Sequence, residues 1–426
     1  MKNVCFIALI SAALGVSAAL PRIDKDEVVF AEDYGSRVVT VSYVLRDAPA
    51  IVTVDILTNG VSIGAGNFKM FSGPVNRLVT TLDERLTLTW KGYEEWPERK
   101  LANATAVVTA WPVDAPPDYR IVDLATGEER YYVSADAVPG GIGSDEYKTG
   151  KLALRRIRAS GREFRAGAAK NESGGSSYTT REVPHLVSFT NDWYIGVYPC
   201  TQKQYEIIMA GSSSGLSATP SKFRSAEDAA VRPVENVSYT VLRGTSADGC
   251  SWPVNGGAVD PERFFGRIRA ATGVDTYDLP TDAQWEFSCR AGTATAFNTG
   301  LELTNDTVDV RLDAFAWYAG NSGGTTHPVG LLQPNDWGLY DMHGNVWEWV
   351  RDWYSTGDAY SDGSSVIDPP GAPSHSEGWR PMRGGSNNSS AKVLRAAYRN
   401  YEGAGSAGSS GTYGFRVMCG VKARME

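Results

Sequence analysis

Alternation of apolar and polar side chains most limits how the first part of this chain can fold. Apolar residues take every second position over 52–56, the pair Asn59-Gly60 follows, and the alternation resumes at Val61 and Ile63. A period of two places the apolar side chains on one face of a strand, and Asn-Gly favours the tight turn of a hairpin. This segment therefore predicts two antiparallel strands joined by that pair.

Further alternating runs extend the pattern over about a hundred residues. Leu86, Leu88 and Trp90 alternate with threonines, and another strand-like run covers 107–111. Because a sheet with one apolar face needs a second layer to cover it, we expect an all-β sandwich domain over 26–125. No catalytic side chains cluster in this segment, which favours a spacer or adhesion module.

Size and charge exclude two classes of protein. The chain has 426 residues, enough for two or three domains. Its 41 basic and 49 acidic side chains give a net charge of −8, so no overall positive field attracts nucleic acid. Beyond the N-terminus, no run approaches the roughly 20 apolar residues that cross a bilayer. We expect neither a nucleic-acid partner nor a membrane span.

The N-terminus has the three-part pattern of a secretory signal. Lys2 precedes an apolar run over 4–16, and small residues end that run at Ala18. The pattern predicts a signal peptide over 1–18 and a secreted or periplasmic protein. The alternative, a buried N-terminal strand, is disfavoured by the charged segment that follows. Cys5 would leave with the signal peptide.

The remaining cysteines are Cys200, Cys250, Cys289 and Cys419. In an exported chain, an even number of cysteines is compatible with up to two disulfides, in any of three connectivities. None of the four forms a Cys-x-x-Cys motif, and the four histidines are scattered along the chain. Zinc binding, thioredoxin-like chemistry and a His-based metal centre are therefore not indicated.

Proline- and glycine-rich stretches divide the chain after the expected sandwich. They lie at 112–118 and 139–143, and their composition suits an interdomain connection. We expect a linker over 126–150 and a second domain over 151–423.

Three helices are predicted within the second domain. Thr201 can cap the first, and Asp260-Pro261 has the composition of an N-cap followed by proline at the first helical position. A capping box that begins at Thr281 predicts the third helix, with Cys289 near its end. The remaining residues of this domain are expected in short strands and loops.

Six short motifs follow one another in the second domain. The most extended are LPTDAQWEF over 279–287 and GLYDMHGNVWEW over 338–349, and the others lie at 193–202, 232–238, 383–386 and 414–416. Together they resemble the formylglycine-generating enzyme family, also called the sulfatase-modifying factor family. The resemblance implies an irregular α+β fold related to C-type lectins, preceded here by the all-β sandwich.

The resemblance also implies an activity that requires a pair of thiols. Family members oxidise a cysteine of a sulfatase to formylglycine, using oxygen and copper(I) held between two cysteine thiolates, which are soft ligands. Ser389 and about Leu394 stand where these thiols would fall, and no cysteine lies between Cys289 and Cys419. We expect no copper and no oxidase reaction; the alternative is a sulfatase-modifying oxidase or a related oxidoreductase.

The same resemblance also implies a structural disulfide. Members with a structural disulfide have thiols near Cys289 and Cys419, which implies this bond here. Cys200 and Cys250 either pair or stay free.

The family's calcium site implies four ligand residues in this chain. They are Asp341 and Glu348, which offer side-chain oxygens, and Gly344 and Val346, which offer backbone carbonyls. Hard oxygen ligands suit Ca²⁺. The alternative is that the two carboxylates only satisfy amide groups of their loop.

Residues 386–413 have the composition of a recognition surface. Serine, asparagine, glycine and tyrosine dominate this segment, and such mixtures combine rigid aromatic contacts with adaptable polar ones, as in antibody paratopes. We expect a protein, peptide or glycan ligand; an ordinary solvated loop and a purely structural role are the alternatives. The candidate binding residues are Asn387, Asn388, Tyr398, Arg399, Tyr401 and Tyr413.

Overall fold

The computed structural model describes most of the chain after residue 18. It covers residues 19–421 except 68–69, 96–100, 170–171, 173–180, 251, 254–256, 356–364 and 409–410. The predicted signal peptide over 1–18 lies outside the described residues. Within the part that is described, no helix is both long and apolar enough to span a membrane.

The N-terminal region is a sandwich of two antiparallel sheets. One sheet has the order β1-β2-β7-β5; in the other, β3 pairs with β4, β6 and β8. The elements are β1 (Val29–Asp33), β2 (Val38–Val44), β3 (Ala50–Thr58), β4 (Val61–Ser62), β5 (Phe71–Ser72), β6 (Arg77–Val79), β7 (Arg85–Trp90), α1 (Gly92–Glu95) and β8 (Ala104–Pro112).

The apolar side chains of the alternating segments form the sandwich core, as predicted. Side chains at every second position of β2, β3 and β7 meet in one apolar cluster. The predicted hairpin is also present: Thr58 pairs with Val61, and the connecting Asn59 and Gly60 have φ angles of 52° and 78°. Positive φ at both central turn residues matches the right-handed twist of the strands, which explains the Asn-Gly pair.

The C-terminal region is α+β, and its described residues form four sheets. Their orders are β10-β9-β11-β14-β22, β12-β13-β18, β15-β16 and β20-β19-β17-β21. The elements are β9 (Tyr119–Asp123), β10 (Glu129–Tyr132), β11 (Lys151–Ile157), β12 (Glu163–Ala166), β13 (His185–Ser188), β14 (Trp193–Gly196), α2 (Gln202–Met209), α3 (Tyr239–Arg243), α4 (Phe264–Thr272), α5 (Asp282–Arg290), β15 (Ala316–Trp317), β16 (His343–Gly344), β17 (Trp347–Trp349), β18 (Ser365–Ile367), β19 (Trp379–Arg383), β20 (Asn400–Gly403), β21 (Tyr413–Phe415) and β22 (Met418–Gly420).

The expected boundary between the domains is wrong. β9 and β10 belong to the five-stranded sheet of the C-terminal region, and 126–150 is a packed segment rather than a free linker. The reason is burial: Tyr131 joins the core on one face of this sheet, whereas Val138 and Tyr147 close the other face. The proline- and glycine-rich composition reflects tight turns within a folded region.

Two of the three predicted helices begin where their caps indicate. Thr201 and Thr281 each form a capping box at the start of α2 and α5. The second helix differs, because α4 begins at Phe264 and Asp260 instead stabilises the preceding turn by accepting hydrogen bonds from the backbone N–H groups of Glu262 and Arg263. The short α3, capped by Ser238, was not predicted.

Candidate functional site

The place expected for the family's thiol pair contains a hydroxyl and an apolar side chain. Ser389 Oγ accepts a hydrogen bond from the Ser386 backbone N–H at 2.9 Å. Leu394 is fully buried, and its carbonyl lies 2.7 Å from His343 Nδ1, which donates to it. Neither side chain is a ligand for copper(I).

The expected disulfide between Cys289 and Cys419 is wrong, because every described cysteine is a free thiol. Cys289 ends α5 and points toward β16, where its Sγ lies 3.6 Å from His343 Nε2. Cys419 lies on β22 beside Tyr194, and its Sγ accepts a hydrogen bond from Arg120 at 3.4 Å. The two thiols therefore belong to different apolar clusters.

The four buried thiols are protonated in these surroundings. Burial raises the pKa of Cys419 to about 11 and also raises the pKa of Cys289, Cys200 and Cys250. The thiolate is the nucleophile and the metal ligand, so these surroundings disfavour the reactive form of all four residues.

Asp341, the first expected calcium ligand, is held in a strained turn. Its φ is 55°, a conformation that costs a non-glycine residue energy. Its Oδ2 accepts from the Gly330 N–H at 2.8 Å, and its Oδ1 accepts from Asn345 Nδ2 at 3.3 Å. Burial raises the pKa of Asp341 to about 6.

Glu348, the second carboxylate, forms a buried ion pair. Its Oε1 accepts from Arg416 Nη2 at 2.9 Å, and its Oε2 accepts from Trp285 Nε1 at 2.7 Å and from Arg416 Nε at 3.1 Å. Gly344 and Val346, which are expected to offer backbone carbonyls, lie between the two carboxylates in the sequence. The Gly344 carbonyl accepts a hydrogen bond from the Val346 N–H at 2.8 Å.

The chemistry of this donor set fits a calcium ion. Each oxygen of Asp341, and Oε1 of Glu348, accepts one hydrogen bond, and a carboxylate oxygen has two lone pairs. Arg416 neutralises only one of the two carboxylates, so one negative charge is left for a cation. In the described residues, no three His, Cys, Asp or Glu side chains are grouped closely enough to hold a metal by themselves. Backbone carbonyls would therefore have to complete the site.

The six candidate ligand residues do not converge on one surface. Asn387 is buried and donates from Nδ2 to the Gly411 carbonyl at 3.1 Å. Asn388 is exposed, and its Oδ1 accepts from Ser386 Oγ. Tyr413 lies on β21, where its ring is 5.9 Å from that of Trp349.

Tyr398, Arg399 and Tyr401 lie together, next to an aromatic row that sequence reasoning missed. The Tyr401 ring is 4.3 Å from both Tyr354 and Trp379, and His375 stacks on Trp379 at 4.9 Å. The Tyr398 ring is 6.1 Å from Trp347. The row comes from β20, β19 and two loops, so no local periodicity reveals it.

Arg399 also lines a cleft at the N-terminus of α5, which we call the α5 cleft. Its empty volume, including the open mouth, is about 570 Å³. Four carboxylates and three guanidinium groups line it: Glu182, Asp282, Glu286 and Asp352, with Arg181, Arg383 and Arg399. Glu286 and Asp352 were not among the predicted site residues.

Most charges of the α5 cleft are paired. Asp282 contacts Arg383 and lies 2.7 Å from Arg399 Nε. Glu286 lies 3.0 Å from Arg383 Nη2. Burial opposes ionisation of Asp282 and Glu286, but the attraction of the nearby guanidinium groups is stronger. The pKa of each carboxylate therefore lies below its ordinary value.

Comparison of this chain with known protein families identifies its family. The family model described as "Sulfatase-modifying factor enzyme 1-like domain" matches residues 154–421. The chain belongs to this family. The resemblance drawn from the six motifs is therefore confirmed, together with the irregular α+β fold of the C-terminal region.

Curated relatives match over limited segments. "Chaperone protein LppX" of Paenibacillus barcinonensis is 29% identical over 210 residues, which are 42% of this chain and 67% of that protein. "Formylglycine-generating enzyme" of Streptomyces coelicolor is 35% identical over 147 residues, 32% of this chain and 45% of that protein. "Serine/threonine-protein kinase pkn1" of Chlamydia caviae is 36% identical over 145 residues, 34% of this chain and only 21% of the kinase.

Two solved structures align with most of their own length. "Treponema denticola variable protein 1" is 27% identical with a TM-score of 0.46, covering 63% of this chain and 95% of that chain. PvdO from Pseudomonas aeruginosa is 23% identical with a TM-score of 0.47, covering 63% of this chain and 94% of that chain.

Proposed function

We propose that this chain is an exported ligand-binding protein of the family that does not oxidise cysteine to formylglycine. One observation carries the proposal: Ser389 and Leu394 occupy the positions implied for the thiol pair, and the sequence has no cysteine between Cys289 and Cys419. A hydroxyl that is hydrogen-bonded within its own loop and a buried leucine offer no soft ligand for copper(I).

The surroundings of the two positions support this reading. His343, the nearest imidazole to Leu394, donates from Nδ1 to the Leu394 carbonyl, and its Nε2 faces Cys289 and the Asn298 N–H. Burial lowers the pKa of His343 to about 4, so the ring is neutral. Neutral imidazole and a protonated thiol form a packed core contact here.

The proposal includes calcium as a structural ion at Asp341, Gly344, Val346 and Glu348. These residues would hold the ion, which would cross-link the loop between β16 and β17. The ion would also balance the one carboxylate charge that Arg416 does not neutralise. A protein, peptide or glycan is the class of ligand proposed. The composition of residues 1–18 supports export.

Mass spectrometry of a substrate peptide tests the loss of the oxidase reaction. The mature chain is incubated with a Cys-x-Pro-x-Arg peptide, copper(I), oxygen and a thiol reductant, beside the Streptomyces coelicolor formylglycine-generating enzyme as the active control. We expect no conversion of the cysteine by this chain. Formylglycine formed at a rate similar to the control would show that other residues support the oxidation, and the proposal would be wrong.

A further inference from the structure

Among the described residues of the α5 cleft, Asp352 is a carboxylate without a cationic partner. Glu182 is paired with Arg395 at 2.8 Å, and Asp282 and Glu286 share Arg383. Within the described part of the chain, no Lys, Arg or His nitrogen lies within 4.0 Å of an Asp352 oxygen. This distinguishes Asp352 from the other three carboxylates that line the cleft.

Asp352 is also incompletely hydrogen-bonded. Its Oδ2 accepts from the Asp282 backbone N–H at 2.6 Å, at the first turn of α5. Its Oδ1 has no hydrogen-bond partner among the described residues. The residue is only 2% exposed, yet it lines the cleft, so its remaining accessible surface faces the cleft rather than bulk solvent.

Polar atoms of the residues next to Asp352 also lack hydrogen-bond partners among the described residues. They are Arg351 Nε, Trp353 Nε1 and the Tyr354 hydroxyl, all buried. The Trp353 side chain lines the cleft, whereas the Tyr354 ring packs against Tyr401 in the aromatic row. Buried polar atoms without partners cost free energy. The indole N–H of Trp353 only donates, so an acceptor group of a ligand would satisfy it and a cationic group would not.

An ionised carboxylate is unfavourable when it is buried without a nearby cation, and its pKa rises as a result. Burial, followed by the nearby charge of Asp282, raises the pKa of Asp352 to about 7. Arg351 and Arg399 act in the opposite direction and do not compensate fully. A positively charged ligand in the cleft would supply the missing counter-charge.

We propose that the α5 cleft binds an organic cation, an ammonium or guanidinium group of the kind that ends a lysine or arginine side chain, with Asp352 as its counter-ion. The cleft opens to solvent at its mouth, so an ammonium or guanidinium group can approach Asp352 while its alkyl stem stays near the surface. The inference deepens the proposed binding role by naming the charge class of the ligand.

Blocked amino acids are suitable probes of this binding. The full chain is titrated, at low ionic strength and about pH 8, where Asp352 is ionised, with Nα-acetyl-arginine N-methylamide and Nα-acetyl-lysine N-methylamide. Nα-acetyl-norleucine N-methylamide, which has a similar stem without the charge, is the matched control ligand. We expect either cation to bind at least about tenfold more tightly than the norleucine compound, the size of one charged hydrogen bond. Equal affinities for charged and uncharged probes would overturn the proposal.

Asp352→Asn removes the charge and keeps an oxygen that can accept from the Asp282 N–H. We expect this substitution to weaken binding of the cationic probe about tenfold or more, whereas Asp26→Asn, at an exposed position of the N-terminal region, leaves it unchanged. Unchanged binding by Asp352→Asn would place the cation elsewhere and contradict the assignment. The wild-type comparison of probes remains decisive if the variant does not fold.

The two proposals can fail separately. A chain that oxidises the substrate peptide contradicts the proposed function, whatever it binds. A chain that neither oxidises the peptide nor prefers cations contradicts only the assignment of Asp352.

Discussion

The two regions of this molecule bury different kinds of side chain. Among the described residues before β9, the buried set is apolar apart from Thr53. The C-terminal region buries a series of arginines against carboxylates: Arg243, Arg290, Arg383, Arg395 and Arg416. The sandwich therefore depends on the periodicity of its apolar residues, whereas the C-terminal region depends on specific pairs.

This difference determines how each region tolerates substitution. An apolar core loses stability in proportion to the volume removed. A buried ion pair gives little net stability when intact, because desolvation offsets attraction, but removing one partner leaves an uncompensated charge. We expect the C-terminal region to be the more sensitive to single losses of charge.

The largest expected effect comes from Asp278→Ala. Asp278 and Arg243 are both buried and form two contacts, at 2.7 Å and 3.0 Å. The substitution leaves the Arg243 guanidinium buried without a carboxylate, and we expect a loss of roughly 3–5 kcal/mol, measured by denaturant unfolding. Asp24→Ala, which removes the exposed partner of Arg22, is the matched control and should leave the midpoint unchanged. Similar midpoints for both variants would contradict the comparison.

Leu88→Ala tests the apolar side of the comparison. Leu88 is fully buried between the sheets of the sandwich, and its truncation leaves a cavity, so we expect a loss of about 3 kcal/mol. Thr87→Ala, on the opposite face of the same strand, should change stability by less than about 0.5 kcal/mol. If the two variants were equally destabilised, the period-two interpretation of this strand would be wrong.

Asp352→Asn should alter the pH dependence of stability. The pKa of Asp352 is raised from an ordinary value of 3.8 to about 7. A raised pKa in the folded state means that the group contributes stability below its ordinary pKa and loses this contribution as the pH rises through about 7. Wild type should therefore lose roughly 2 kcal/mol relative to the variant between about pH 5 and pH 8. Parallel pH profiles would indicate that Asp352 is not destabilised by burial.

Calcium removal should give the smallest effect. If the ion binds at Asp341 and Glu348, an excess of chelator at constant ionic strength should lower the Tm by about 3 °C. Asp341→Ala should abolish the response to chelator, whereas Asp145→Ala, at an exposed residue, should retain it. A wild-type Tm that does not respond to chelator would remove calcium from the proposed function.

Local signals predicted the parts of the fold that depend on neighbouring residues. The turn at Asn59-Gly60 and the caps at Thr201 and Thr281 involve groups no more than three residues apart, so the sequence contains the whole interaction. The sandwich core is also local, because alternation defines each buried face. The family motifs supplied the fold class of the C-terminal region.

Pairs that are distant in sequence could not be predicted. Arg416 and Glu348 are separated by 68 positions, and Arg395 and Glu182 by 213. Nothing in the composition near Asp352 distinguishes it from an ordinary surface aspartate. The α5 cleft therefore emerges only when seven separate segments are placed together.

The disulfide prediction failed for a related reason. Cys289 and Cys419 occupy positions close to those implied by the family, but a bond needs the two side chains to face each other. Cys289 faces His343 and Cys419 faces Arg120. Proximity to a motif in sequence does not define the direction of a side chain.

Copper(I) binding tests directly whether this chain retains the family fold without its thiol pair. The folded chain competes with a coloured copper(I) chelator under reducing, oxygen-free conditions, beside the Streptomyces coelicolor enzyme. We expect this chain to take no copper(I) from the chelator, because Ser389 and Leu394 are not ligands and the four thiols are buried and protonated. Uptake of one copper(I) per folded chain would show that other residues form a copper(I) site, and the proposed function would be wrong.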